Sequence, residues 1–172
     1  MGPIVRETTT TRVGAFERFG LPMTGRAVLL SLSGSGIGGH LVEGTVSAVS
    51  SVPDAFLVVT GNRGARLRGH NVYDLGVVRE NQDLVAAADL VVSTAGKSTI
   101  DEATCYGTPI IVIPIRHHAE QERNAAALGF YADDLVRLTT LVRERIGART
   151  PVRRSEGARK AAGLILGLAQ RG

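Results

Sequence analysis

Three runs of this sequence carry residue types and spacings suited to chemistry on a phosphorylated ligand. Gly34-Ser35-Gly36-Ile37-Gly38-Gly39 fits G-x-G-x-x-G between an apolar stretch and a helical one, so its backbone N–H groups could meet a phosphate at a helix N-terminus. The rival reading is a tight turn that simply requires glycine conformations. A dinucleotide cofactor is disfavoured, because the next strand ends Val59-Thr60-Gly61 with no acidic residue to hold a ribose hydroxyl, and Asp54 precedes that strand.

The second run extends from Ser93 to Glu102. Its Gly96-Lys97-Ser98-Thr99 looks like the end of a P-loop, but the glycine needed five positions earlier is replaced by Val91. What survives is a small-residue turn between strand and helix whose amides and hydroxyls can approach a diphosphate. Glu102 has two readings there. It can accept two hydrogen bonds from a ribose diol, or Asp101 or Glu102 can close a capping box on Ser98 or Thr99.

The third run is Pro114 to Ala125. Neighbouring His117 and His118 lack the i, i+4 spacing of a zinc helix, so no metal is expected. Glu120 and Gln121 open a helix and could hydrogen-bond sugar hydroxyls; the plainer reading of Glu120 is a favourable charge at a helix N-terminus. Cys105 sits on an apolar helix face with no base beside it and reads as core. No nucleophile elbow and no paired carboxylates for hydrolysis are present.

These runs need a scaffold, and the pattern around them supplies one. Strands are expected at 27–32, 55–60, 71–75, 90–93 and 110–114, the last carrying the run IIVI that implies burial on both faces. Helices are expected at 41–50, 82–88, 98–106, 119–128, 133–146 and 155–170. Residues 1–25 read as a linker-like segment with one short helix around Phe16, and 26–172 as one domain. Strands alternating with helices of this length imply right-handed parallel crossovers and a doubly wound, Rossmann-like α/β sheet. Ligands then bind beyond the carboxyl ends of the strands, where all three runs fall.

Composition narrows the function classes. The chain has 172 residues, 44% hydrophobic and 4% aromatic with no Trp, a formal charge of +4 and a pI near 9.8. Its densest basic run, Arg143 to Arg159, reads as a solvated face, with an anionic membrane surface as the functional alternative. Scattered Arg residues and the lack of aromatic platforms argue against nucleic acid. One cysteine, no signal-like N-terminus and strand-length apolar runs give a cytoplasmic expectation.

In order and spacing, the Gly-Ser loop at 34–36, the stretch AADLVVSTAGKSTIDEATCYGTPIIVIP from Ala87 to Pro114, and EQxxNA from Glu120 to Ala125 resemble the C-terminal half of GT-B glycosyltransferases. The resemblance is strongest to the bacterial peptidoglycan N-acetylglucosaminyltransferase and related UDP-sugar transferases, and covers nearly the whole chain. It implies a donor-binding half that holds a UDP-sugar, with UDP-N-acetylglucosamine as donor, for inverting transfer without an obligatory metal or other cofactor. It also implies an acceptor-binding N-terminal domain or partner subunit that supplies the base; no catalytic residue is assigned here, and the chain alone is expected to be inactive. Ser35 and its loop (Gly34, Gly36) would meet the diphosphate, and the Val78 backbone the uracil edge. Gly96, Lys97, Ser98 and Thr99 would line the nucleotide, with Glu102 on the ribose, Glu120 and Gln121 on the sugar, and Arg6 close to the donor. Two departures, the missing doubled glycine in Ser31-Leu32-Ser33-Gly34-Ser35 and a shorter 116–120 loop, make the donor class safer than the sugar and leave a peptidoglycan acceptor unsupported. The chain is then either an excised piece or a free-standing subunit. A UDP-sugar 2-epimerase half-domain and a non-catalytic nucleotide-binding domain are the rival expectations.

Overall fold

The computed structural model describes residues 2–32 and 39–169, and of residues 39, 40 and 169 the backbone only. The glycine run with Gly34, Ser35 and Gly36 therefore lies outside the described residues. Chain order is α1 (Arg12–Phe19), β1 (Arg26–Ser31), α2 (Gly39–Ser50), β2 (Ala55–Thr60), β3 (Val72–Gly76), α3 (Asn81–Ala87) and β4 (Leu90–Ser93). Then come α4 (Lys97–Tyr106), β5 (Ile110–Val112), α5 (Ala119–Ala126), a 3-10 helix at Ala132–Arg137, α6 (Leu138–Arg145) and α7 (Gly157–Ala169).

The described strands form one parallel sheet in the order β3-β2-β1-β4-β5. That order is the doubly wound one: the chain moves outward from β1 to β3, returns beside β1 at β4, and so leaves a crevice between the carboxyl ends of β1 and β4. Ser31 and Ser93 face each other in register at that point. All residues of β2, β4 and β5 are buried, because helices cover both faces, whereas edge strand β3 is half-buried over most of its length. Among the helices α2 packs on α6, and α3 on both α1 and α4.

The core is one cluster of small aliphatics with Phe16, Phe56 and Phe130. Ala15, Phe16 and Leu21 belong to it, so the short helix near the N-terminus is built into the body of the sheet's packing. The Phe16 ring meets Phe56 edge to face at 5.9 Å, and Phe56 meets Tyr73 likewise at 5.7 Å. Leu90, fully buried in β4, makes a simple stability probe: Leu90→Ala should cost about 2–5 kcal/mol, read as a lower urea midpoint with an unchanged slope.

Most element ends shift by one or two residues from the sequence reading, and three of the differences have a clear physical cause. β5 stops at Val112 although Ile113 still donates to the Ser93 carbonyl, because Pro114 has no N–H to continue the ladder. The single helix expected over 133–146 is split, since Arg137 (φ −108°, ψ 16°) leaves helical geometry between the 3-10 turn and α6. The last helix starts at Gly157 instead of Ser155. A side chain at 157 would run into the Gly2 and Pro3 carbonyls, and the Ser155 hydroxyl donates to the Pro3 carbonyl, so the N-terminal segment fixes where α7 begins.

Candidate functional site

The carboxyl edge of the sheet gathers most of the singled-out residues. Helix α4 opens at this edge, directly after β4 and the turn 94–96. Its N-cap is Gly96, which has no side chain and makes no capping bond, and the N-terminus of a helix is where backbone N–H groups can meet an anion. Lys97 and Ser98 are exposed at this end and Thr99 is half-buried. The cap position settles one alternative. With Lys97 as the first helical residue, Asp101 and Glu102 lie beyond the third position, so neither closes a capping box. Asp101 instead pairs with Lys97 one turn back.

Glu102 is 4% exposed, yet it meets a cation from 96 residues away: Arg6 Nε lies 3.5 Å from its Oε1. Burial pushes the Glu102 carboxyl above its ordinary value, and the Arg6 guanidinium pulls it back without cancelling the effect. Arg6 is itself mostly exposed and also donates to the Arg79 carbonyl at 3.2 Å. Its own carbonyl accepts from the Tyr106 hydroxyl at 2.6 Å. Burial and the Glu102 charge push that phenol up to about 12, so it stays a donor across the physiological range. Thr9 completes the anchoring of this extended segment by donating to buried Asp83 through both its N–H (2.8 Å) and its hydroxyl (2.6 Å).

The loop carrying Val78 runs between Gly76 and α3. Val78 is half-buried, and the loop is held by Arg6 on Arg79 and by an Arg18–Glu80 ion pair. At the far side, α5 brings Glu120 and Gln121 to the same edge. Glu120 is exposed in the first turn, whereas Gln121 is 7% exposed and its Oε1 accepts from the Ile115 N–H at 3.0 Å. His118 caps α5 by accepting from the Gln121 N–H, a use of its ring nitrogen in the fold. Among the described residues no group of three or more His, Cys, Asp or Glu is arranged to hold a metal ion. Cys105 is buried, and burial with Asp101 raises its thiol, in keeping with the core reading.

Several polar residues of this edge escaped the sequence reading. Asn124 Nδ2 donates at 3.1 Å to the carbonyl of Ala95, a buried alanine held in left-handed backbone (φ 67°) in the turn before α4. Asn81 accepts from the Thr60 hydroxyl at 2.9 Å and donates to Ser31 Oγ at 3.3 Å, linking the ends of β2 and β1 to the start of α3. Only the polar residue at a strand end, Ser31, Thr60 or Ser93, hinted at this in the sequence, because an apolar strand seldom ends in a buried hydroxyl without a partner.

With this geometry in view, the likeness to known proteins is informative. Residues 57–136 match the model of the glycosyltransferase family 28 C-terminal domain. An uncharacterized glycosyltransferase of Methanopyrus kandleri is 26% identical over 131 residues, covering 73% of this chain and 38% of the relative. The UDP-N-acetylglucosamine–N-acetylmuramyl-(pentapeptide) pyrophosphoryl-undecaprenol N-acetylglucosamine transferase of Corynebacterium efficiens is 34% identical over 107 residues, covering 53% of this chain and 30% of the relative. Among solved structures, a spinosyn rhamnosyltransferase complexed with spinosyn aglycone superposes with a TM-score of 0.59 at 22% identity, over 86% of this chain and 44% of that one. The matches span 30–44% of the length of these proteins. The chain thus resembles the glycosyltransferase family 28 C-terminal domain over residues 57–136, and it has the Rossmann-like fold of GT-B glycosyltransferase C-terminal halves.

Proposed function

We propose that this chain is the donor-binding half of an inverting glycosyltransferase that uses a UDP-sugar, UDP-N-acetylglucosamine in the first instance. The observation that carries the reading is the convergence at one sheet edge of an uncapped helix N-terminus, a cation (Arg6) and a buried carboxylate (Glu102). An anion and a vicinal diol are the two groups a nucleoside diphosphate presents, and these are their complements. Glu102 would accept from the ribose hydroxyls, while the amides of Lys97, Ser98 and Thr99 with Arg6 would face the diphosphate. Glu120 and the Gln121 amide nitrogen would be left for the sugar.

In this reading the reaction is direct displacement at the anomeric carbon. The acceptor oxygen forms the new bond as the bond to the diphosphate breaks, and the charge that develops on the leaving oxygen is met by preorganised N–H groups. The acceptor and the base that takes its proton come from an acceptor-binding domain or subunit. Exposed Ile4, Leu164, Ile165 and Leu168, beside the Gly2-Pro3 contact of α7, support a second protein surface there. The proposal includes a cytoplasmic location beside an anionic membrane, supported by the basic residues Arg149 to Lys160. No described helix is long and apolar enough to cross a membrane.

Calorimetric titration of the chain with UDP, UDP-N-acetylglucosamine, ATP and NAD in one buffer tests the donor reading. Selective uridine binding is the expected result; preference for ATP or NAD overturns it. An epimerised sugar after incubation with UDP-N-acetylglucosamine would replace transfer by 2-epimerisation.

A further inference from the structure

The loop 77–80 is held from several directions, and one of the holds is a side chain that the donor reading does not use. Asn81 is the first residue of α3, a helix whose N-cap, Glu80, makes no side-chain capping bond. Instead of a cap, the helix start is tied to the sheet by the Asn81 carboxamide. Its oxygen accepts from Thr60 at 2.9 Å, and its nitrogen donates to Ser31 at 3.3 Å. Thr60 and Ser31 are the last residues of neighbouring strands, 2% and 6% exposed, and Thr60 also accepts the Leu32 N–H through its carbonyl. One step further along, the Gly61 N–H donates to the Gly76 carbonyl, where the 77–80 loop departs from β3. The ends of β1 and β2 and the start of α3 thus meet on one amide, and a backbone bond ties the residue after β2 to the end of β3.

A carboxamide suits this position because it offers an acceptor and a donor from one planar group. An aliphatic residue of the same size would leave two buried hydroxyls without this partner, beside a loop whose backbone at Val78 would meet the base in the donor reading and would then have to be held closely in place. We infer that Asn81 is a positioning residue that sets the 77–80 loop against the strand ends and thereby confers selectivity for the nucleobase of the donor. The inference rests on the donor reading above. It adds to it a residue that touches no ligand and acts through the backbone near Val78.

The test uses the chain itself and two substitutions, Asn81→Leu, which removes both bonds, and Thr60→Val, which removes one at nearly constant volume. Affinities are measured for UDP, ADP and inorganic pyrophosphate, with thermal unfolding alongside. Positioning predicts that Asn81→Leu lowers the preference for UDP over ADP by about tenfold or more, and Thr60→Val by roughly threefold, while pyrophosphate affinity stays within about twofold. A purely structural bond would lower stability and all three affinities together, leaving the preference unchanged. That result, or unchanged selectivity in a folded Asn81→Leu chain, overturns the positioning role while the donor reading stands. A wild-type chain with no preference for UDP overturns the donor reading and the selectivity role with it. Should Asn81→Leu fail to fold, the selectivity of Thr60→Val decides in the same way.

Discussion

Glu102→Ala should weaken binding of UDP by about 1.5–3 kcal/mol, roughly 10- to 150-fold, the range for hydrogen bonds to a charged group. Removing the carboxylate need not unfold the chain, because its partner Arg6 is mostly exposed and can be solvated where it stands. The free protein should in fact respond the other way. A carboxyl whose folded value lies above its unfolded one binds protons more readily in the native state, so its contribution is favourable at low pH and is lost as pH rises through the folded value. For Glu102 that window opens at the ordinary 4.5 and extends upward. Glu102→Gln should therefore raise stability at neutral pH relative to wild type and remove the part of the pH dependence that lies above 4.5, while still weakening UDP. The same titration makes wild-type affinity fall as pH drops through the raised value, since only the carboxylate accepts from both ribose hydroxyls. Thermal unfolding and calorimetry from pH 4.5 to 8 check both signs. Unchanged UDP affinity in a folded Glu102→Ala chain would sink the ribose assignment.

Gly61→Ala should be the most destabilising conservative change at the site edge. Gly61 sits just past β2 in left-handed backbone (φ 81°), and a Cβ there would collide with the Leu32 backbone carbonyl, an atom with little room to yield because Leu32 is itself laddered to Thr60. Left-handed backbone alone costs an alanine about 1–2 kcal/mol, and the collision adds to it, for a total of roughly 3–5 kcal/mol. For a chain of this size that is a fall in Tm of about 6–20 °C. Gly129 separates the two terms: it has nearly the same backbone (φ 76°) with no heavy atom within 4 Å of an added Cβ. Gly129→Ala should lose only the conformational part. Equal losses at 61 and 129 would show that the close approach of β1 and β2 at their ends is not what makes glycine necessary.

The distance in sequence between partners separates what could be read from what could not. β2 and β4 were legible residue for residue, because AFLVVT and LVVS are apolar runs bounded by Asp54, Gly61 and a serine, and local composition is enough to mark such ends. The turn at 93–99 and the helix after it were legible for the same reason. The capping-box alternative was misplaced by two or three residues, since which of Gly96, Ser98 or Thr99 caps α4 depends on how the turn leaves β4. Gln121 read as a free polar side chain, but its oxygen is committed to the Ile115 N–H, and no pattern in the sequence announces a single loop-to-side-chain bond.

The sequence alone therefore determined the succession of elements, the parallel sheet and the sheet edge that carries the candidate site, because burial periodicity and glycine or proline punctuation are short-range properties. Only the tertiary structure decided that Arg6 meets Glu102, that Asn81 joins Ser31 and Thr60, and that α7 begins against Pro3. These are contacts between polar groups and backbone atoms far apart along the chain. They have no periodicity of their own, and the folding of the apolar core brings them together.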